Sequence, residues 1–166
     1  TKLFKFAMNE IYQKSTKKFD IICGLDARGF ILATALQDIT DLPQVMIRKE
    51  SKLPGNKYRY QYKKEYGSDT LELEHDYIRK GQRVLIVDDL VATGGSLIAA
   101  VDLVQQAGGI VSDIATLVEF KDLGAYDKLK KICPNTNIYS YISVNSNNNE
   151  YVQEVKINEY LPTIYP

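Results

Sequence analysis

The chain has 166 residues, 45% of them hydrophobic, which is the length of one domain with material for a full core. Lysine and arginine (21) balance aspartate and glutamate (21), so no global field draws the protein to nucleic acid or an anionic membrane, and an anionic ligand must be held by a local site. No apolar run approaches the ~20 residues of a membrane span, no signal-peptide pattern opens the chain, and Cys23 and Cys133 lack CxxC spacing, so the reading is a cytoplasmic protein in a reducing compartment.

Phe4, Ala7, Met8 and Ile11 fall at i, i+3, i+4 and i+7, the stripe of an amphipathic helix that ends in the polar stretch Lys14 to Lys18. Ile21 to Leu25 is a short continuous apolar run, as in a strand covered on both faces, and it breaks at Asp26-Ala27-Arg28-Gly29 before a helical stretch from Phe30 to Gln37. A second strand, Val45 to Arg48, follows Pro43 and gives way to a polar stretch holding Pro54 and Gly55. From Lys57 to Leu73 the period is two. Tyr58, Tyr60 and Tyr62 share one face, Lys57, Arg59, Gln61 and Lys63 the other, and Leu71 and Leu73 alternate with Thr70, Glu72 and Glu74. With Gly67-Ser68-Asp69 between them, these runs predict a long β-hairpin protruding from the domain as a flexible flap. His75 has no cysteine or second histidine near it, so it reads as a surface residue rather than a metal ligand.

After Gly81 comes the strand Val84 to Val87, then Asp88-Asp89 and a small turn, then a helix from Leu97 to Ala107 that stops at Gly108-Gly109. A strand from Ile114 to Val118, a helix from Ala125 to Ile132 and a strand from Ile138 to Val144 continue the alternation, and Asn145 to Asn149 is a polar turn before a strand-like piece, Tyr151 to Ile157. Repeated β-loop-α-β units predict an α/β fold, a central mostly parallel sheet flanked by helices.

In such a sheet ligands bind at the carboxyl ends of the strands, which gathers Asp26, Arg28, Asp88, Asp89 and Thr93 on one edge. Ala92-Thr93-Gly94-Gly95-Ser96 leads into a helix N-terminus, where unpaired amides and the helix dipole favour a phosphate and the Thr93 and Ser96 hydroxyls add donors. Asp88 and Asp89 are acceptor-only groups beside that cradle, suited to two vicinal ribose hydroxyls or, through water, to Mg²⁺. Together they read as a grip for a ribose 5-phosphate. GxxxxGK[ST] and GxGxxG are both absent, which turns the reading away from ATP hydrolysis and dinucleotide chemistry.

The stretch VLIVDDLVATGGS, residues 84–96, resembles the phosphoribosyl-pyrophosphate (PRPP) motif of type I phosphoribosyltransferases, a hydrophobic run, two acids, two variable positions and T-G-G-[ST]. Gly24-Leu25-Asp26-Ala27-Arg28-Gly29-Phe30 is similar to the G-[LI]-D-[AS]-R-G-F signature of the adenine phosphoribosyltransferases, whose loop binds pyrophosphate. Ile47-Arg48-Lys49-Glu50-Ser51-Lys52-Leu53-Pro54 resembles their I-R-K-x-x-K-L-P segment, and Glu65-Tyr66-Gly67 the E-Y-G of their flexible catalytic loop. On the residues alone, Arg28 also fits a salt bridge with Asp26, Lys49 and Lys52 also fit a solvated surface, and Phe120 also fits the core.

The resemblance implies transfer of a 5-phosphoribosyl group from PRPP to adenine, giving AMP and pyrophosphate, with Mg²⁺ bridging substrate oxygens. It assigns the phosphate and ribose to Asp88, Asp89, Ala92, Thr93, Gly94, Gly95 and Ser96, and the pyrophosphate to Asp26, Ala27, Arg28, Arg48, Lys49 and Lys52. Leu25 and Phe120 would contact the base, and the catalytic set would be Arg28, Glu65 as general base and Tyr66 against water. A homodimer is implied as well. The family's P-G-[VI]-x-F-R-D hood has no counterpart ahead of the first helix here, so the expectation is one domain over 1–166 without it. Two alternatives remain open at this point, a phosphoribosyltransferase for hypoxanthine, guanine or xanthine, and a PRPP-binding regulator without catalysis.

Overall fold

The apolar run at Ile21–Leu25 is buried at all five positions, which requires layers on both sides of the strand. In the computed structural model, which describes residues 2–64 and 67–145, this strand (β1) lies inside a seven-stranded sheet. The other strands are β2 (Gln44–Lys49), β3 (Lys57–Lys64), β4 (Gly67–Glu74), β5 (Arg83–Val91), β6 (Ile110–Phe120) and β7 (Asn137–Val144). The helices are α1 (Lys2–Lys14), α2 (Gly29–Thr40), α3 (Gly95–Gln106) and α4 (Ala125–Ile132). The order across the sheet is β3-β4-β2-β1-β5-β6-β7, parallel from β2 to β7 and antiparallel in the two pairings of β4.

The two-residue period of the strands divides the core into two layers. On one face Met8 and Ile11 of α1 and Leu32 and Leu36 of α2 pack with Ile22, Leu85, Val87 and Ala115. On the other, Leu97, Val101 and Val104 of α3 and Leu129 of α4 pack with Cys23, Leu25, Ile86 and Ile114. Every predicted α/β unit within the described residues is present, and among those residues no helix is long and apolar enough to cross a membrane.

Two elements differ from the sequence expectation. β5 does not stop at Val87 but carries Asp88 and Asp89 within the strand, because β6 runs on to Phe120 and pairs Asp88 with Thr116, Leu90 with Val118 and Val91 with Glu119. The hairpin is present, but pairing of Lys64 with Gly67 draws Gly67-Ser68-Asp69 into β4; Glu65 and Tyr66 lie outside the described residues. Its base is joined to the sheet, where Ile47, Arg48 and Lys49 of β2 pair with Leu73, Glu72 and Leu71. Tyr58, Tyr60 and Tyr62 are partly buried against the layer that holds α3. The strand-like piece at Tyr151 to Ile157 lies outside the described residues.

Candidate active site

β1 and β5 are neighbours, yet the helices that follow them leave to opposite faces, α2 into one layer and α3 into the other. A switch of this kind opens a crevice at the carboxyl ends of the strands. A cleft of about 690 Å³ occupies that place, lined by Leu25 at the end of β1 and Asp26, Ala27 and Arg28 after it, by Asp88, Asp89 and Leu90 of β5, and by the run from Ala92 to Ser96. Lys49, Tyr62, Asp69, Leu71 and Leu123 complete its walls.

Close backbone approach sets the frame. A Cβ on Gly29 would lie 2.7 Å from the carbonyl oxygen of Val87 and 3.3 Å from Asp88 Oδ1, so glycine is what lets α2 begin directly against β5. Gly94 has a φ of 87°, the left-handed region that favours glycine, and turns the chain from Thr93 into α3. The first turn of α3 carries no side-chain cap, leaving its amides for an anion, and Ile98 N–H is bonded back to Gly94 O at 2.9 Å. From α4, Lys128 Nζ donates to the carbonyl of Thr93 at 3.2 Å and holds the loop from behind.

The two aspartates have different surroundings. Asp88 accepts the N–H of Asp89 at 2.9 Å, and burial, with the Asp89 carboxylate adding to it, pushes its carboxyl up to about 7. Asp89 forms a salt bridge with Arg28 Nε, which keeps that guanidinium more firmly protonated. Asp26 faces the other cation-bearing segment: Arg48 Nε and the backbone N–H of Lys49 each lie 3.4 Å from Asp26 Oδ2. The Arg28–Asp26 pair that the sequence also allowed is replaced by these two pairings.

Arg48 Nη1 donates to the Lys52 carbonyl at 3.4 Å, and its guanidinium sits 5.8 Å from the centroid of the Phe30 ring. Among the described residues, Arg48, Lys52 and Phe120 stand outside the cleft lining, while Leu123, just past Phe120, is in it. Glu65 and Tyr66 lie outside the described residues. Sequence reasoning missed Tyr62, Asp69, Leu71, Leu90 and Leu123. The signal for the first two was present in the hairpin alternation, since Tyr62 and Asp69 are cross-strand partners with Tyr62 Oη 3.4 Å from Asp69 Oδ2, but it gains meaning only once the hairpin is part of the sheet. His75 stacks on Tyr58 with ring centroids 4.0 Å apart, and among the described residues no group of three His, Cys, Asp or Glu could cage a metal ion.

A switch-point cleft walled by an acidic pair, an uncapped helix start and the Arg28-bearing loop is the kind of ligand crevice that open α/β sheets form at their strand ends. Residues 2–159 match the phosphoribosyl transferase domain family, and the chain belongs to that family, with the type I fold. Within it, similar relatives include adenine phosphoribosyltransferases. That of Cenarchaeum symbiosum is 49% identical over 111 residues, 67% of this chain and 65% of the relative, so the chain spans just under two thirds of that relative's length. That of Prosthecochloris aestuarii is 41% identical over 131 residues, 77% of this chain and 74% of the relative. Among solved structures, the adenine phosphoribosyltransferase of Thermoanaerobacter pseudethanolicus superposes with a TM-score of 0.80 at 38% identity, covering 86% of this chain and 81% of that one. The Saccharomyces cerevisiae adenine phosphoribosyltransferase, complexed with an imino-altritol bisphosphate and adenine, superposes with a TM-score of 0.70 at 36% identity, covering 82% and 74%.

Proposed function

We propose that the protein transfers the 5-phosphoribosyl group of PRPP to adenine, releasing AMP and pyrophosphate, a reaction of purine salvage, and that residues 1–166 act as one phosphoribosyltransferase domain. The observation that carries this reading is the meeting, in one cleft, of the acidic pair on β5, the uncapped start of α3 and Arg28 after β1. It is supported by kinship with the adenine enzymes.

In this reading the 5′-phosphate rests on the amides and hydroxyls from Ala92 to Ser96, and the ribose hydroxyls donate to Asp88 and Asp89. Arg28, Lys49, Arg48 and Lys52, with Asp26 and Ala27 shaping their loop, hold the pyrophosphate, whose charge grows as the C1–O bond breaks. The base attacks C1 from the side of Leu25 and Phe120, Glu65 takes or shares its proton, and Tyr66 keeps water from hydrolysing PRPP. The hard oxygen donors of the cleft suit Mg²⁺, and with no three-residue cage among the described residues the ion would arrive with PRPP, Asp88 and Asp89 holding it through water. When bound, it offsets the negative charge of the pyrophosphate and ribose oxygens. The two free buried cysteines fit a reducing, cytoplasmic setting, and the working form is a homodimer, for which a sedimentation mass of one chain at assay concentration would be the contrary result.

The test is chromatographic. Protein, PRPP and Mg²⁺ are incubated separately with adenine, hypoxanthine, guanine and xanthine; AMP formed selectively from adenine is the expected outcome, and a monophosphate of another purine refutes the base assignment. Glu65→Gln should lower turnover by about a hundredfold, the scale of a lost general base, and unchanged turnover removes Glu65 from that role.

A further inference from the structure

Glu72 sits in the middle of β4, paired in register with Arg48 of β2 on one side and Arg59 of β3 on the other, and its side chain is 0% exposed. Its place in the alternation Thr70, Glu72, Glu74 would put it on a solvated face, and a carboxylate is costly to bury unless each oxygen is paired. Each is. Oε1 accepts from Arg59 Nε at 3.0 Å; Oε2 accepts the backbone N–H of Ser51 at 3.1 Å and lies 3.4 Å from Lys57 Nζ.

These partners belong to the cation-bearing loop. Ser51 has a φ of 65°, a conformation serine adopts rarely, and its amide is the one Glu72 holds. Lys57, whose side chain is 15% exposed, also donates to the carbonyl of Leu53 at 2.6 Å, so the same carboxylate reaches the far half of the loop through the lysine. The loop starts directly after Lys49, which lines the cleft, and contains Lys52, whose carbonyl takes Arg48 Nη1. Glu72 itself is not part of the cleft lining.

We infer that Glu72 is a positioning residue, a buried anion that fixes the Glu50–Asn56 loop through Ser51 and Lys57 and so sets where Lys49 and Lys52 present their charge to the pyrophosphate of PRPP. It acts at a distance from the reacting atoms. The inference rests on the PRPP reading above but not on which base accepts the sugar.

Glu72→Gln keeps the shape and an acceptor for Ser51 but removes the charge that holds Lys57 and the second oxygen that accepts from Arg59. Lys57→Met keeps the aliphatic stem and removes the tie to Leu53. Each should raise the PRPP dissociation constant measured by calorimetry about tenfold, the scale of a small misplacement of binding groups. Amide hydrogen exchange across residues 50–57 should accelerate by a similar factor, while the KM for adenine stays within about twofold. PRPP affinity within twofold of wild type in both variants, or equal losses of both substrates with exchange in the loop unchanged, overturns the inference. Should Glu72→Gln fail to fold, Lys57→Met carries the test alone. A wild-type protein that binds PRPP but forms no AMP counts against the proposed activity while leaving the affinity comparison intact; a wild-type protein that does not bind PRPP overturns both.

Discussion

Arg28 and Asp89 form their salt bridge at the mouth of the cleft, with side chains 72% and 23% exposed. An ion pair so open to water contributes little to stability, so a polyanion can draw the guanidinium away from Asp89 at small cost. Arg28→Lys keeps the charge but loses the planar fork that grips two phosphate oxygens, and the KM for PRPP should rise about tenfold or more in initial-rate assays. An unchanged KM would take Arg28 out of the pyrophosphate site. Asp88 carries the pH dependence. Its carboxyl is held at about 7 against an ordinary 3.8, so its contribution to stability is complete below 3.8 and is lost as pH rises through 7. Denaturant midpoints of wild type and Asp88→Asn at pH 5 and pH 8 should therefore show the variant gaining on wild type at the higher pH; a difference independent of pH would mean that Asp88 does not titrate in that window. That Asp88, Asp89 and the run from Thr93 to Ser96 line one cleft was legible in the sequence, because carboxylates and a glycine turn where a strand gives way to a helix fall at the carboxyl edge of a parallel sheet. Glu72 was not, since its burial comes from strands on both sides of β4, a relation that alternation within β4 does not contain.

Local punctuation explains which elements could be read in advance. β1 and α4 fall where the sequence put them: Asp26-Ala27-Arg28-Gly29 ends one, and Gly124 and Pro134 bracket the other. The length of β5 could not be read, because where a strand ends depends on how far its partner β6 continues. The hairpin register escaped for a similar reason, as Gly67 looks like a turn residue but pairs with Lys64. Tight packing at the start of α2 gives a prediction at this scale. Gly29→Ala places a methyl 2.7 Å from the Val87 carbonyl, and the helix must move off β5, at a cost of about 1–3 kcal/mol. Calorimetric melting should register it as a drop of about 2–12 °C, together with weaker PRPP binding, since the Arg28 loop moves with the helix. Melting and binding both equal to wild type would show that the contact is not tight.

One cysteine in a sheet covered on both faces and one at the end of α4 leave the thiols of the molecule chemically quiet. Cys23 and Cys133 are both free and buried, and burial pushes the Cys23 thiol well above its ordinary range. A disulfide reagent added to the native protein should label neither thiol on the timescale at which both react in denaturant; rapid labelling of Cys23 would mean that the layers separate readily. Those layers meet the proposed ligand in a particular way. Because α2 and α3 follow neighbouring strands and run along opposite faces of the sheet, an anion held as proposed between the Arg28 loop and the Thr93 to Ser96 loop would work like a rivet through a laminate. It would tie the layer of α2 to the layer of α3, so that binding should raise the stability of both layers together.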